Sequence, residues 1–340
     1  MAFAIGKPQC LAVLLAFTIS ACGGGSSGVG GGVASAPAPN PSQPGNPAPT
    51  PAPPPTVALL PAVQTPNPPS PVATANGPRL GESTTSATFP LLEAAVTLSP
   101  TYHVFNGDQA TTSAGASLGF DPISKQYSLT LNNAALNLVD APLSQSKTNT
   151  PIAGDRGLYY QFAELDYTAF GRWSIAAFPN ASTYDWTNAG VWAGGYVTPI
   201  GDIPSTGTAT YHGQLYGNYD ESAFTFRDLG ILTGNVSLAA DFAARNISGT
   251  MTGIVIGSDW EKHSQMNDLA FSASFDPAQN LFSGTTRVTN VPAGDSAFAA
   301  NASGTIQGRF YGPGAVEVGG VFNLSDTTHR LMGAFAAKKD

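Results

Sequence analysis

Residues that usually announce chemistry are scarce in this chain. Cysteine occurs twice, at Cys10 and Cys22. Both lie near the start, so no disulfide can staple the rest of the chain, and a folded body must be held by packing. Histidine occurs four times, at His103, His212, His263 and His329, far apart and expected at the surface. There is no H-E-x-x-H pattern and no Cys–His spacing of a metal site. Only 11% of residues are charged, and the net charge is −8. With no basic stripe to neutralise phosphates, nucleic acid is not an expected partner. No internal apolar run approaches the roughly 20 residues a membrane helix needs. The clustered titratable groups that catalysis requires cannot be assembled either. Glu164 and Asp166 share an expected strand face, an arrangement common on exposed strands, so no enzyme is expected.

What is abundant is glycine, 38 residues, and proline, 28, and their placement organises the chain. Residues 1–21 read as a signal peptide: Lys7, an apolar run from Leu11 to Ile19, then small residues. Ile19-Ser20-Ala21-Cys22 resembles the lipobox of bacterial lipoproteins, which implies cleavage before Cys22 and lipidation of its thiol. Acyl chains anchor stably when more than one is present, and Gly23, where inner-membrane lipoproteins often carry Asp, implies by the same resemblance the outer membrane. Residues 22–79 read as a linker, Gly/Ser-rich and then Pro-rich. Such composition buries no core and gives a coil followed by an extended polyproline II spacer. The G-x-S-x-G pattern at Gly24–Gly28 lacks the strand before and helix after that a nucleophile elbow requires.

From Thr208 onward apolar residues alternate with a period of two. Eight runs are evident: TATYHGQLYG, ILTGNVSLAADF, RNISGTMTGIVIG, DLAFSASF, LFSGTTRVTNV, SGTIQGRFYG, AVEVGGVFNL and HRLMGAFAAK. Ala209, Tyr211 and Leu215 share one face; Val236, Leu238 and Ala240 another; Ile247, Met251, Gly253 and Val255 are expected to align. Asp276-Pro277 and Gly312-Pro313-Gly314 mark turns. Eight amphipathic strands with short turns predict an antiparallel up-and-down barrel filled by side chains, covering 207–340. A membrane barrel would point its apolar face outward; the anchor and spacer argue for a soluble one.

The ending GRFYGPGAVEVGGVF…LMGAFAAKKD (308–340) resembles the terminal strands of transferrin-binding protein B-like surface lipoproteins, with Ala336 where that family commonly has Gly. Residues 198–217 look like its entry into the barrel. Tyr167-Thr168-Ala169-Phe170-Gly171-Arg172-Trp173 resembles its Tyr-x-x-Tyr-Gly-x-Trp strand, with Phe170 in place of Tyr. The resemblance implies an all-β lobe: a β-sheet handle over 80–206, then the eight-stranded barrel. It implies one lobe where transferrin-binding protein B has two, with factor H-binding and haemophilin-like proteins among single-lobe relatives. It further implies a monomeric cell-surface protein that captures a host or environmental protein, or an iron source. Delivery by an outer-membrane translocon and hand-over to a receptor would follow from the same family.

Within the handle, 116–131 reads as a hairpin turning at Asp121-Pro122, and 158–178 as a long meander. Residues 178–196 read as a loop rich in aromatics. Rigid aromatics dominate binding hot spots, so Tyr184, Trp186 and Trp192 are the candidate contacts, with Trp260 in the loop 259–264. No cofactor is expected, though haem as cargo would need an axial imidazole, for which His103 and His212 are the candidates. A structural envelope lipoprotein is the remaining reading.

Overall fold

The computed structural model describes residues 71–75, 77–98, 105–111, 116–124, 126–133, 136–143, 148–152, 156–180, 183–221, 229–257, 264–290 and 298–340. Ten strands come first: β1 (Ala87–Pro90), β2 (Leu92–Leu98), β3 (Phe105–Thr111), β4 (Ser117–Asp121), β5 (Gln126–Asn133), β6 (Leu136–Leu143), β7 (Thr148–Ile152), β8 (Arg156–Glu164), β9 (Thr168–Asn180) and β10 (Thr183–Gly195). They form a four-stranded sheet in the order β1-β4-β5-β6 and a six-stranded sheet in the order β3-β2-β10-β9-β8-β7. The two pack face to face around Phe89, Leu118, Phe120, Leu129, Phe162, Trp173 and Trp192, a sandwich core made by alternate residues of each strand. The hairpin at Asp121-Pro122 is as expected. Asp121 fixes it by accepting from the Ile123 N–H at 2.9 Å and the Ser124 hydroxyl at 2.7 Å.

The barrel comes next as β11 (Thr208–Glu221), β12 (Gly230–Asp241), β13 (Asn246–Gly257), the short β14 (Ser264–Gln265), β15 (Leu269–Asp276), β16 (Leu281–Val288), β17 (Ser303–Tyr311), β18 (Glu317–Ser325) and β19 (His329–Lys339). β11 pairs with both β12 and β19, and β12 with β13, so the eight long strands close on themselves. The interior is an apolar core of Tyr211, Leu215, Leu232, Met251, Phe271, Phe282, Phe310, Phe322 and Phe335 among others. An apolar inside, with Ser248, Thr250, Ser272, Ser274 and Thr285 exposed outside, is the reverse of a membrane barrel's polarity.

Glycines make room for the interior rings. A Cβ on Gly308 would stand 2.0 Å from Cζ of Phe282, and one on Gly333 would stand 2.3 Å from Cζ of Phe322. The strict alternation expected for β13 breaks at Gly253, which takes φ +59°. Between Thr233 and Asn235 on β12, β13 runs one residue further, a bulge of the kind that admits one unpaired residue and switches the facing pattern. Ile254 and Ile256 therefore turn inward, where Gly253 and Val255 were expected.

A second departure concerns the barrel wall. The alternation read from the sequence did not say what covers the outer faces of β18 and β19, where Val321, Met332, Ala334 and Ala336 are at most 2% exposed. They pack against Leu92, Ala94, Phe170, Ala189, Val191 and Ala193 of the six-stranded sheet. Where its side chains are described, the middle of that sheet in β2, β9 and β10 is buried on both faces, with the small sheet on one side and the barrel on the other, which explains its run of apolar residues. Sandwich and barrel are parts of one compact unit.

The folded body also begins earlier than the boundary expected at Leu80. Ala73 N–H donates to the Val197 carbonyl at 2.8 Å and Val197 N–H to the Pro71 carbonyl at 3.1 Å, a parallel bridge between Val72 and Val197. Ala73 is 2% exposed. Further along, Leu80 N–H donates to the Asp166 carbonyl at 2.7 Å. Residues 71–75 and 77–82 thus form a strap along the body.

Candidate functional site

The strands give the lobe two unlike ends. At one, β12 turns to β13 within Asp241–Asn246, β15 to β16 within Asp276–Leu281, and β17 to β18 within Tyr311–Glu317. These turns are closed by short-range bonds, such as Ala244 N–H to Asp241 Oδ1 at 2.9 Å and Ala278 N–H to Asp276 Oδ1 at 2.9 Å. The strap enters here, since Val197 also bridges Tyr311 and the Thr198 hydroxyl donates to the Gly312 carbonyl at 2.6 Å. At the other end lie the longer connections, from Glu221 to Gly230, Gly257 to Leu269 and Val288 to Ser303.

Two anchors align the handle with this axis. At the tight-turn end, Glu317 at the start of β18 accepts from the Asp166 and Tyr167 N–H groups at 2.8 and 2.9 Å, so Asp166 lies in a clamped turn rather than on a strand beside Glu164. Glu317 is fully buried; burial raises its pKa, and the backbone bonds offset part of that. Towards the other end, an Arg172 terminal nitrogen donates to Asn218 Oδ1 at 2.6 Å, and Asn218 Nδ2 donates to the Gly190 carbonyl at 2.9 Å. β9 therefore runs in the sense of β11. It continues eight residues beyond Arg172 to Asn180, whereas β11 ends three residues beyond Asn218 at Glu221. At about 3.3 Å per residue, β9 and β10 overhang the long-connection end.

The sequence candidates fall into this frame unequally. Tyr184 and Trp186 do not lie in a loop. They belong to β10, which pairs with β9 from Thr183 onward, and they sit at the overhanging tip. Gly and Asn, which mark turns more often than strands, mask the pairing of 183–195 in the sequence. Trp192 is 1% exposed. Its ring lies in the sandwich core, 6.2 Å from that of Phe162, so it is a core residue and not a surface contact. His212 is exposed on the outer face of β11, with Nε2 3.4 Å from Asp340 Oδ2, at the tight-turn end and away from Tyr184 and Trp186. Cys22, His103 and Trp260 lie outside the described residues.

The sequence placed every histidine at the surface, but His329 is nearly buried. Its ring sits 6.1 Å from that of Tyr219 and 5.4 Å from that of Phe298, and Nδ1 is 3.2 Å from Asp326 Oδ2. Burial would raise the pKa of Asp326, but N–H groups of Ala299, His329 and Thr328 outweigh it and hold the group low. Sequence reasoning also passed over Glu317, Arg172 and Asn218. The first two lay inside the quoted motifs, where alternation marks the face but not the partner. Among the described residues no cluster of His, Cys, Asp and Glu is placed to hold a metal.

Comparison with known proteins gives partial matches. A family model described as the C-lobe and N-lobe beta barrels of Tf-binding protein B matches residues 203–339. Transferrin-binding protein B of Haemophilus influenzae is 30% identical over 134 residues, which cover 38% of this chain and 21% of that protein. The match thus spans about a fifth of that relative. A transferrin-binding protein B variant from Haemophilus parasuis aligns with TM-score 0.45 at 16% identity, covering 73% of this chain and 45% of that one. The N-lobe of lactoferrin-binding protein B from Moraxella bovis aligns with TM-score 0.36 at 18% identity, covering 54% and 79% respectively.

Proposed function

We propose, from the premise that residues 203–339 belong to the transferrin-binding protein B barrel family, that this chain is a non-enzymatic surface lipoprotein that captures a host or environmental ligand. The observation that carries the reading is the polarity of the lobe. The strap, which begins at Pro71, meets the body at the tight-turn end. The overhanging tip of β9 and β10 and the longer barrel connections lie at the opposite end. A lobe tethered at one end presents the other to the surroundings, which suits Tyr184 and Trp186 as contacts. Recognition is non-covalent, and aromatic anchors supply most of the affinity.

The test uses cells that display the full chain, incubated with labelled transferrin, lactoferrin and haemin. Saturable binding of one of them is expected, weakened about tenfold or more by Trp186→Ala and unchanged by His212→Ala; Cys22→Ser should release the chain from the membrane. Haemin binding lost in His212→Ala would transfer the reading to haem capture at the other end. A Cys22→Ser chain that stays membrane-bound, or a Trp186→Ala chain that binds as wild type does, would overturn it.

A further inference from the structure

Arg172 stands out among the buried charges of the lobe. It is 3% exposed, between the six-stranded sheet and the barrel. Its hydrogen bond goes to a neutral acceptor, Asn218 Oδ1, and its Nε has no partner. A buried guanidinium ordinarily meets a carboxylate, because an uncompensated charge in a dry site is costly. Here the acidic residues nearby in the register face elsewhere or are bonded elsewhere. Glu93 pairs with Trp192 on the sandwich side of the sheet, and Glu317 accepts from the Asp166–Tyr167 turn. Desolvation pulls the Arg172 pKa down to about 10.

A second group points to the same place. Ser174 is fully buried and its hydroxyl also lacks a partner. Arg172 stands opposite Val191 and Ser174 opposite Ala189, and both partners belong to the cluster that meets Met332, Ala334 and Ala336 of the barrel. Residues two apart on a strand share a face and lie about 7 Å apart. The seam therefore holds a cationic donor and a hydroxyl donor on one face, close together, with an acceptor missing from each.

We propose that the handle–barrel seam binds a small monovalent anion, chloride in the simplest case, between the Arg172 guanidinium and the Ser174 hydroxyl. Asn218 orients the guanidinium. An anion supplies both missing acceptors and neutralises the charge, whereas a water supplies acceptors only. A macromolecular carboxylate has no access to a group this buried. The anion bridges sheet to barrel and so stabilises the seam in proportion to its occupancy.

The test measures thermal unfolding of the full chain at constant ionic strength, with sodium chloride exchanged for sodium gluconate. Crystals soaked in sodium bromide are examined in parallel for anomalous scattering. A melting temperature that rises with chloride and saturates, by about 5 °C in total, is expected, with a bromide peak between Arg172 and Ser174. Arg172→Met should abolish the chloride response, and Ser174→Ala should weaken the apparent anion affinity about tenfold. A wild-type melting temperature indifferent to chloride, or a seam without a bromide peak, overturns the proposal. So does a chloride response that survives in Arg172→Met. Should that variant fail to fold, the bromide map and Ser174→Ala decide the matter.

Discussion

Replacing Gly308 with alanine tests whether glycines in the barrel wall are there to seat rings. Gly308 faces inward on β17, opposite Phe282 on β16 and Gly320 on β18. The new Cβ would stand 2.0 Å from Cζ and 2.5 Å from Cε1 of Phe282, and 2.6 Å from the Gly319 carbonyl oxygen. Ordinary contact between such atoms begins near 3.4 Å, so the ring would have to retreat by more than 1 Å. It has little room, being fully buried with Phe310 at 6.2 Å. Overpacking of a filled core costs about 1–3 kcal/mol, and the carbonyl contact adds strain on the wall itself, so a loss of about 3 kcal/mol is expected. For a body of this size that lowers the melting temperature by about 6–12 °C. The assay is urea unfolding followed by tryptophan fluorescence, run as a double-mutant cycle with Phe282→Leu. Alone, Phe282→Leu destabilises by opening space. In the Gly308→Ala background it should recover about 1–2 kcal/mol of favourable coupling. A Gly308→Ala chain within 0.5 kcal/mol of wild type, or a cycle with no coupling, would refute the argument that ring size dictates glycine here.

Three further outcomes rest on the packing and the clamp. Glu317 has a folded pKa raised above its ordinary value, so the native state holds its proton to higher pH than the unfolded chain does. Stability from this group therefore rises as pH falls through the folded pKa and levels off below the unfolded one; Glu317→Gln should remove that gain, seen as a flatter stability profile between pH 7 and pH 4. Asn280 Nδ2 donates to the Thr198 and Phe310 carbonyls and its Oδ1 accepts from Phe310 N–H, each at 2.9 Å. Asn280→Ala leaves those groups unanswered and should cost about 2–4 kcal/mol by chemical unfolding; a loss below 1 kcal/mol would show that water replaces the amide. Trp192→Ala should cost about 3–5 kcal/mol, while Trp192→Phe should keep ligand affinity within twofold in a cell-binding titration; a larger loss would place Trp192 in the contact after all.

The barrel was legible because its signal is local and repeated. Each strand alternates, interior positions such as Leu238, Phe271 and Phe322 fall on the apolar phase, and Asp276-Pro277 punctuates as expected. Three things escaped. The bulge at Gly253 depends on a backbone conformation that glycine permits but does not announce. The burial of Met332, Ala334 and Ala336 depends on a sheet more than a hundred residues upstream, and a single strand's pattern does not say what covers its second face. Strand β10 reads as a loop in the sequence because Asn188, Gly190, Gly194 and Gly195 look like punctuation. Yet Gly190 is required for close approach, since a Cβ there would stand 2.5 Å from the Trp173 indole nitrogen. The candidate site was legible as composition, an aromatic-rich stretch, but its position at the far tip emerged only from the direction of β9 relative to β11.

The strap has a mechanical meaning. A pull arriving along the chain from upstream of Pro71 loads the Val72–Val197 bridge first, with its two hydrogen bonds. The bond from Leu80 to Asp166 and the Arg79–Asp166 ion pair at 3.5 Å come next. These contacts are few and can yield in sequence, unlike the closed barrel behind them, whose eight long strands are held on both edges. Peeling residues 71–82 would release about 40 Å of chain before the barrel bore any load. A load applied there would then be met by lengthening of the strap, and the barrel and the tip of β9 and β10 would keep their shape while it did so.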